Sequence, residues 1–434
     1  MTRPGRNRRL VASISCLAAS LVAAACSFHE LHENLLELDT YGTLHGTVSV
    51  AEPASGTIVA LVYAGSPGEE HVVDSFVLDQ PGAYFFLVPA GRYRVGAFED
   101  RNGNGVYDPG VDPAASYAGG EVSVAGAGVV EGLDLRIGPG EGSPLRVTFA
   151  LPAAGRREAK RLPEIHVGEV VSLSDPRFAR TNSELGLWQP IDFLFDVGAG
   201  IFFLEPYDPQ KIPVLFVHGA LGTPIDFSEI VEHLDRTRFQ PWLVYYPTAL
   251  SIDQLGAGLD RWMQRLYALH RFPRLVVVAH SMGGLVARDF LNETLREPVG
   301  GVADALCLFV TISTPWNGQD AAAFGVEHAP AVAPSWHDLV PGNPFLETLL
   351  AQALPERIPH HLFFGFGGGS RLYDEANDGV VTVASELAPL AQRGARRLYG
   401  FDASHTGILR SPEVAAQLNE ILAATAESER IAGP

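Results

Sequence analysis

Ser281 lies where a run of β-branched residues gives way to helix-forming residues, in the stretch VVVAHSMGGLVAR at 276–288. Ala279 and Gly283, two positions on either side, are small enough for a strand and a helix to approach closely around a sharp turn. Such a turn would raise the serine hydroxyl above the sheet edge and point the helix N-terminus at it. The stretch alone leaves two interpretations open: a nucleophile, or a serine that caps a helix after a buried strand.

A glycine-containing loop upstream offers what acyl-transfer chemistry needs next, which is a pair of donors for a tetrahedral oxyanion. One donor is expected from the backbone N–H of Met282, the residue after the nucleophile, and the other from the loop after an early strand. Such a loop occurs in VLFVHGALGTP at 214–224, where Gly219 permits an unusual backbone. We expect Ala220 to be the second donor, with Leu221 as the alternative.

An acid and a histidine follow further along the chain, in the order expected after such a serine. Asp378 begins an Asp-Gly turn in YDEANDGVVTVASE after a predicted strand, and Asp374, Glu375 and Asp402 compete with it. His405 lies in FDASHTGILR, between the last predicted strand and the C-terminal helix, where a loop can reach back over the sheet edge. These two residues are the candidates for the base and for the acid that orients it.

The elements that must position these residues alternate between strand and helix from Ile212 onward. The predicted strands are continuously apolar, as in strands buried on both faces; they are IPVLFVHG, FQPWLVYYPT, RLVVVAHS, ALCLFVTIST, HHLFFGFGG and ARRLYGFD. The predicted helices lie at about residues 226–237, 252–270, 283–296, 343–353 and 412–424. Alternation of this kind predicts a mostly parallel sheet flanked by helices.

Residues 40–138 have a different pattern, with short, partly alternating apolar runs broken by Gly, Pro, Asp and Asn. This pattern predicts a small all-β sandwich. The segment PAGRYRVGAFED resembles the transthyretin-like and carboxypeptidase-regulatory-like modules of exported proteins. Residues 139–165 are expected to be a linker, and residues 166–434 a catalytic domain with an N-terminal extension.

One polar loop of the β domain has the spacing of a calcium ligand set. Asp100, Asn102, Asn104 and Asp108 stand at positions 1, 3, 5 and 9 of the loop, with glycine at position 6. Position 12 is Val111, so a true EF-hand is not expected. A structural calcium ion and a polar Asn/Gly turn are the two interpretations.

The N-terminus has the composition of an export signal. Residues 1–9 contain four arginines, and residues 10–25 are apolar or small, which together predict a signal peptide over residues 1–25. Cys26 directly after Ala23-Ala24-Ala25 resembles a bacterial lipobox, whose cysteine is lipidated; cleavage of an ordinary signal peptide is the alternative. With residues 26–39 as a tether, we expect an exported bacterial protein, either an outer-membrane lipoprotein or a secreted one.

The charge balance bears on the partners of the chain. Its 434 residues carry a formal net charge of −19, so nucleic acid is not expected as a partner. The expected partners are an ester or lipid substrate and, through the lipid anchor, a membrane. No cofactor is expected for catalysis.

Five motifs together, in this order, resemble the α/β-hydrolase lipases and esterases: HGALGT, AHSMGG, ISTPWNG, NDGVVTVASE and SHTGIL. AHSMGG is similar to the variant turn of some small bacterial lipases, in which alanine also replaces the first glycine. The resemblance covers about residues 200–425 and implies an α/β-hydrolase fold. It further implies Ser281 as the nucleophile, His405 as the general base and then acid, and Asp378 as the orienting acid.

The activity implied by this resemblance is serine carboxyl-ester hydrolysis through an acyl-enzyme, on lipid-like or other apolar acyl esters. Acyl transfer from phospholipid is one alternative, because it shares every motif and differs only in the acceptor. A surface binding protein with an inert hydrolase fold is another alternative, which the complete Ser, Asp and His set disfavours.

Overall fold

The computed structural model describes residues 26–51, 55–66, 68–78, 81–138, 145, 147–150, 165–296, 301–369 and 375–427. The predicted signal peptide at 1–25 and most of the predicted linker at 139–165 lie outside these residues. Two sheet systems lie within them, one on each side of that linker.

An eight-stranded sheet forms the centre of the C-terminal part, in the order β10-β11-β13-β12-β14-β15-β16-β17. Its strands are β10 (Ile165–Val170), β11 (Ala199–Phe203), β12 (Ile212–Val217), β13 (Phe239–Tyr245), β14 (Leu275–His280), β15 (Leu306–Ile312), β16 (His360–Gly365) and β17 (Arg397–Phe401). Strands β12 to β17 are parallel, and β11 pairs with β13 in the antiparallel direction. The predicted mostly parallel sheet is confirmed.

The helices flank this sheet on both faces. They are α1 (26–38), α2 (Arg180–Trp188), α3 (Pro190–Asp192), α4 (Ser228–Glu232), α5 (Ile252–His270), α6 (Met282–Thr294), α7 (Val302–Ala305), α8 (Asp320–His328), α9 (Pro334–Asp338), α10 (Pro344–Ala351), α11 (Val383–Glu386), α12 (Pro389–Gly394) and α13 (Pro412–Glu427). Shorter turns of other helix types lie at Pro176–Phe178, Phe193–Val197, Pro224–Phe227 and Gly407–Arg410. Within the described ranges, no helix combines the length and the apolar character needed to cross a membrane.

The helix predicted at 226–237 is shorter and less regular than expected. The chain first makes a 3₁₀ turn at Pro224–Phe227, where Thr223 and Asp226 form a capping box, and only then forms α4. The N–H of Thr223 donates to Oδ2 of Asp226 at 2.9 Å, so the tight turn is complete before the α-helix begins.

The central strands are buried on both faces, which is why their sequences are continuously apolar. All six residues of β14 are buried. Val277 and Ala279 belong to the core beneath α5 and α6, whereas Val276 and Val278 belong to the core beneath α4 and α13. Successive side chains of a strand point to opposite faces, so both helix layers are held by one strand.

The N-terminal part is a sandwich of two sheets, as predicted. One sheet contains β1 (Tyr41–Val50), β4 (Gly82–Pro89), β8 (Val129–Val130) and β9 (Leu135–Ile137), and the other β2 (Thr57–Ala64), β3 (His71–Leu78), β5 (Gly91–Asp100), β6 (Ala114–Ser116) and β7 (Val122–Val124). Side chains from both sheets meet in one core, including Leu44, Val62 and Phe86. The outer face of β2 is also covered, because Leu145 and Phe149 pack against it.

The predicted tether at 26–39 is instead a helix, α1, that packs against the C-terminal part of the chain. Leu31 is fully buried among Leu187, Ala249 and Ala333. The Asn34 side chain accepts the N–H of Ile191 at 3.0 Å. The residues that cover Leu31 lie more than 150 positions later in the sequence. The short N-terminal stretch alone therefore did not indicate a packed helix.

The turn between β14 and α6 depends on a very close approach of backbone to backbone. Ser281 has φ 55° and ψ −134°, a strained conformation for a residue with a side chain. A Cβ on Gly283 would lie 2.3 Å from the carbonyl oxygen of His218, and one on Gly284 would lie 2.0 Å from Oγ1 of Thr314. The two glycines therefore let α6 touch the ends of β12 and β15.

We expect Leu31→Ala to lower the free energy of unfolding of the C-terminal part by about 2–4 kcal/mol, because it leaves a cavity beneath α1. Leu36→Ala on the same helix is the control, since Leu36 is exposed and should change stability by less than about 0.5 kcal/mol. Denaturant unfolding of the mature protein measures both. Equal effects of the two substitutions would show that α1 is not packed.

We expect Gly283→Ala to destabilise the protein by about 1–3 kcal/mol, because the new methyl group meets backbone that has no rotamer with which to move away. Gly258→Ala in α5 is the matched control: a Cβ there meets nothing within 4 Å, and a helix interior favours alanine by about 1 kcal/mol. Thermal unfolding of the two variants should shift in opposite directions. A tolerated Gly283→Ala would contradict the close approach.

Candidate active site

Three side chains from three different loops form one chain of hydrogen bonds at the carboxyl edge of the parallel strands. Nε2 of His405 lies 2.8 Å from Oγ of Ser281, and Nδ1 of His405 lies 2.5 Å from Oδ2 of Asp378. Ser281 follows β14, Asp378 follows β16 and His405 follows β17. The structure thus brings together all three residues that the sequence placed in this order.

Asp378 is held as a carboxylate by the loop that carries it. Its Oδ1 accepts the backbone N–H groups of Val380 and Val381 at 2.9 and 2.7 Å. Burial by itself raises the pKa of Asp378, but the hydrogen bond from His405 and the charge of that ring lower the pKa to about 2. Asp378 therefore carries its negative charge toward Nδ1 of His405 at any pH near neutrality.

The histidine loop is fixed by backbone bonds as well as by its side chain. The N–H of His405 donates to the carbonyl oxygen of Asp378 at 2.8 Å. Nε2 of His280 lies 2.8 Å from the carbonyl oxygen of His405, so the residue before Ser281 holds the chain that carries the histidine. Burial, followed by the nearby His405 ring, lowers the pKa of His280 to about 3, which leaves His280 neutral and able to donate this bond.

The loop after β12 faces the serine closely. A Cβ on Gly219 would lie 2.6 Å from Cβ of Ser281, so the loop packs directly against the serine. The N–H of Leu221 donates to Oγ1 of Thr248 at 3.4 Å, whereas the N–H groups of Ala220 and Met282 have no acceptor within the described residues. This difference favours Ala220 over Leu221 as a donor toward a ligand.

Three other histidines of the hydrolase part make structural contacts. His218 is buried and stacks on Tyr246, with ring centroids 4.2 Å apart. His360 lies within hydrogen-bonding distance of Oγ1 of Thr311, at 2.8 Å, and both residues are buried in the sheet. His361 lies 3.2 Å from the hydroxyl of Tyr399.

The competing acids do not approach the histidine in the same way. Glu375 and Asp402 are exposed, whereas Asp378 is fully buried. Asp374 lies outside the described residues. Burial beside an imidazole therefore distinguishes Asp378 from its described competitors.

A buried acid that no sequence motif indicated lies beside this group. Glu386 is fully buried, and its Oε2 accepts the N–H of Gly365 at 2.9 Å. One carboxylate oxygen of Glu386 lies within 4.8 Å of ligand-type atoms of both Asp378 and His405. Its signal in the sequence is an acid at the end of the four-residue helix VASE, eight positions after Asp378.

The loop proposed to bind calcium is closed by its own hydrogen bonds. Asp100 accepts the N–H groups of Gly103 and Gly105 at 2.9 and 2.8 Å. The side-chain amides of Asn102 and Asn104 both donate to Oδ2 of Asp108, at 2.8 and 2.7 Å. These bonds describe the loop as it stands, and both the polar turn and calcium binding stay open as predictions.

No protein-family model and no curated protein matches this sequence. Among solved structures, the mature lipase BlEst2 of Bacillus licheniformis is similar at 17% identity, covering 51% of this chain and 97% of that one, with a TM-score of 0.40. Lipase B of Aspergillus fumigatus matches at 15% identity over 51% of this chain and 56% of that one, with a TM-score of 0.38. Phospholipase PlaB of Legionella pneumophila matches at 16% identity over 41% and 45%, with a TM-score of 0.35.

The strand order of the chain itself, with helices on both faces and a strained serine between a parallel strand and a helix, determines the fold class. The chain has an α/β-hydrolase fold preceded by a small all-β sandwich.

Proposed function

We propose that this protein is a serine carboxyl-ester hydrolase that acts on lipid-like or other apolar acyl esters. The observation that carries the proposal is the continuous hydrogen-bonded chain from Oγ of Ser281 through His405 to Asp378. This arrangement of nucleophile, base and orienting acid is what nucleophilic attack on an ester carbonyl requires.

In the proposed reaction, His405 takes the proton of Ser281 through Nε2 as Oγ attacks the carbonyl carbon. The oxyanion accepts hydrogen bonds from the backbone N–H groups of Met282 and Ala220, and Asp378 holds the imidazolium in place. His405 then gives its proton to the leaving alcohol, which departs and leaves an acyl-enzyme. Water activated by His405 attacks this acyl group, releases the acid and restores the serine.

Exposed apolar side chains in the segments that follow the central strands support an apolar substrate. Loops that follow the central strands expose large apolar side chains: Leu221 and Ile225 after β12, Phe324 in α8 after β15, and Val380 next to Asp378. Phe324 is 67% exposed and Leu221 is 40% exposed, which costs free energy in water unless an apolar ligand covers them.

We also propose that the protein is exported and attached to the cell envelope by a lipid on Cys26. The support for this proposal is the signal-like sequence at 1–25 and the cysteine that directly follows its small residues. Cys26 is exposed and therefore accessible for modification. Mass spectrometry of the envelope fraction, compared with a Cys26→Ser variant, tests this assignment.

We expect Ser281→Ala to reduce hydrolysis of p-nitrophenyl esters of graded chain length by about 10⁶-fold, because it removes the nucleophile. Wild-type protein, but not Ser281→Ala, should react with a fluorophosphonate probe. Ser228→Ala, which changes an exposed serine of α4, is the control and should remain fully active. Equal activity of Ser281→Ala and wild type would disprove the proposal. Glycerol added to the same assay distinguishes transfer to an alcohol from hydrolysis.

We expect Asp378→Asn to lower kcat by about 10⁴-fold, because an amide favours the wrong tautomer of His405. Asp402→Asn is the matched control, since Asp402 is an exposed acid in the same histidine loop. Steady-state kinetics on one ester compares the two variants. A large loss of kcat in Asp402→Asn together with a small loss in Asp378→Asn would show that Asp402, and not Asp378, orients His405.

A further inference from the structure

Glu386 is a buried acid for which the proposed reaction has no use. It ends the short helix α11, which covers the end of β16, and its side chain lies between Gly365 and the Asp378–His405 pair. Both Glu386 and Asp378 are fully buried. Two carboxyl groups therefore share a site from which water is excluded.

Among the described residues that face these two acids, His405 is the one group that can carry a positive charge. The titratable groups facing Glu386 are Asp378 and His405, and His280 behind His405 is held neutral by burial. Two carboxylates beside a single imidazole would leave an uncompensated negative charge in a site of low dielectric constant. One of the two acids must therefore be protonated.

The hydrogen bonds show which acid carries the proton. Asp378 accepts N–H donors at both oxygens, from Val380 and Val381 at Oδ1 and from His405 at Oδ2, and its side chain also lies within hydrogen-bonding reach of Glu386. Glu386 accepts the N–H of Gly365 at Oε2, whereas its buried Oε1 makes no well-formed hydrogen bond with a donor in the described residues. Asp378 and the hydroxyl of Ser313 are the side chains that interact with Glu386. A buried carboxyl oxygen without a donor, next to a carboxylate, is the position where a proton itself makes the missing bond.

A metal ion shared by Asp378, Glu386 and His405 would also balance the charge, since these groups have suitable ligand atoms. The 2.5 Å contact between Nδ1 of His405 and Oδ2 of Asp378 leaves no room for an ion between them, because metal–ligand bonds are about 2 Å each. Binding of a metal would break the bond that orients the histidine.

We propose that Glu386 is a positioning residue, held as a neutral carboxylic acid that donates its proton to the Asp378 carboxylate and fixes that carboxylate opposite His405. Glu386 acts through Asp378 and does not touch the substrate. The role in catalysis rests on the proposed ester hydrolysis, whereas the neutral state of Glu386 does not. Burial, followed by the charge of Asp378, raises the pKa of Glu386 to about 10, in agreement with this state.

The first test measures stability against pH and is independent of catalysis. The unfolded chain ionises Glu386 above its ordinary pKa of 4.5, while the folded protein keeps the proton to about pH 10. Unfolding therefore releases a proton between these limits, and this contribution to stability falls as pH rises. Glu386→Gln has no such proton, so its Tm relative to wild type should rise steadily from pH 5 to pH 9. Parallel Tm curves would overturn the proposal.

The second test measures kcat in variants that separate the hydrogen bond from the charge. Glu386→Gln keeps a donor toward Asp378 and should retain activity within about tenfold of wild type, whereas Glu386→Leu has no donor and should lose about 10²-fold or more. Glu375→Gln, an exposed acid near Asp378 in sequence, is the control. The alkaline fall in kcat near pH 10 should be present in wild type and absent in Glu386→Gln.

Two results of the kinetic test are decisive. Equal losses in Glu386→Gln and Glu386→Leu, with unchanged Tm, would overturn the donor role of Glu386. If wild-type activity depends on a metal ion and this dependence disappears in Glu386→Gln, a bound ion and not a proton balances the two acids, and the proposal is wrong. If Ser281→Ala proves as active as wild type, the proposed hydrolysis fails, but the Tm comparison still decides whether Glu386 is neutral.

Discussion

The close approach of α6 to the ends of β12 and β15 is the constraint on which the rest of the site depends. Gly283 and Gly284 allow contacts that any side chain would prevent, and this contact forces Ser281 into its strained backbone conformation. The strain is stable because both helix layers and three parallel strands surround the turn. The position of the serine hydroxyl is therefore set by core packing and not by the loop itself.

The electrostatics of the site follow from that packing. The same dense surroundings remove water from Asp378, Glu386 and His405, so each charge must be balanced by a neighbouring group. Asp378 is balanced by backbone N–H groups and by His405, and His280 supports the backbone of His405 from the serine turn. One network thus joins the loops after β14, β16 and β17.

The sequence predicted much of this architecture because several signals are local. Continuous apolar runs predicted the central strands, and helical periodicity predicted α5 at its observed bounds of Ile252–His270. The order of Ser281, Asp378 and His405 predicted their meeting, because successive parallel strands end at one edge of the sheet. Glu386 and the packed α1 could not be predicted in this way, since each depends on partners distant in sequence that decide whether it is buried.

The packing of α1 makes the α/β-hydrolase domain discontinuous in sequence. Leu31 lies beneath residues numbered from 187 to 333, while the whole β-sandwich is encoded between them. During synthesis α1 leaves the ribosome before the segments that cover it, and its apolar face has no partner until most of the chain has followed. A fragment that begins after the sandwich would lack a piece of its own core. The two domains are thus separable as folds but not by a single cut of the chain.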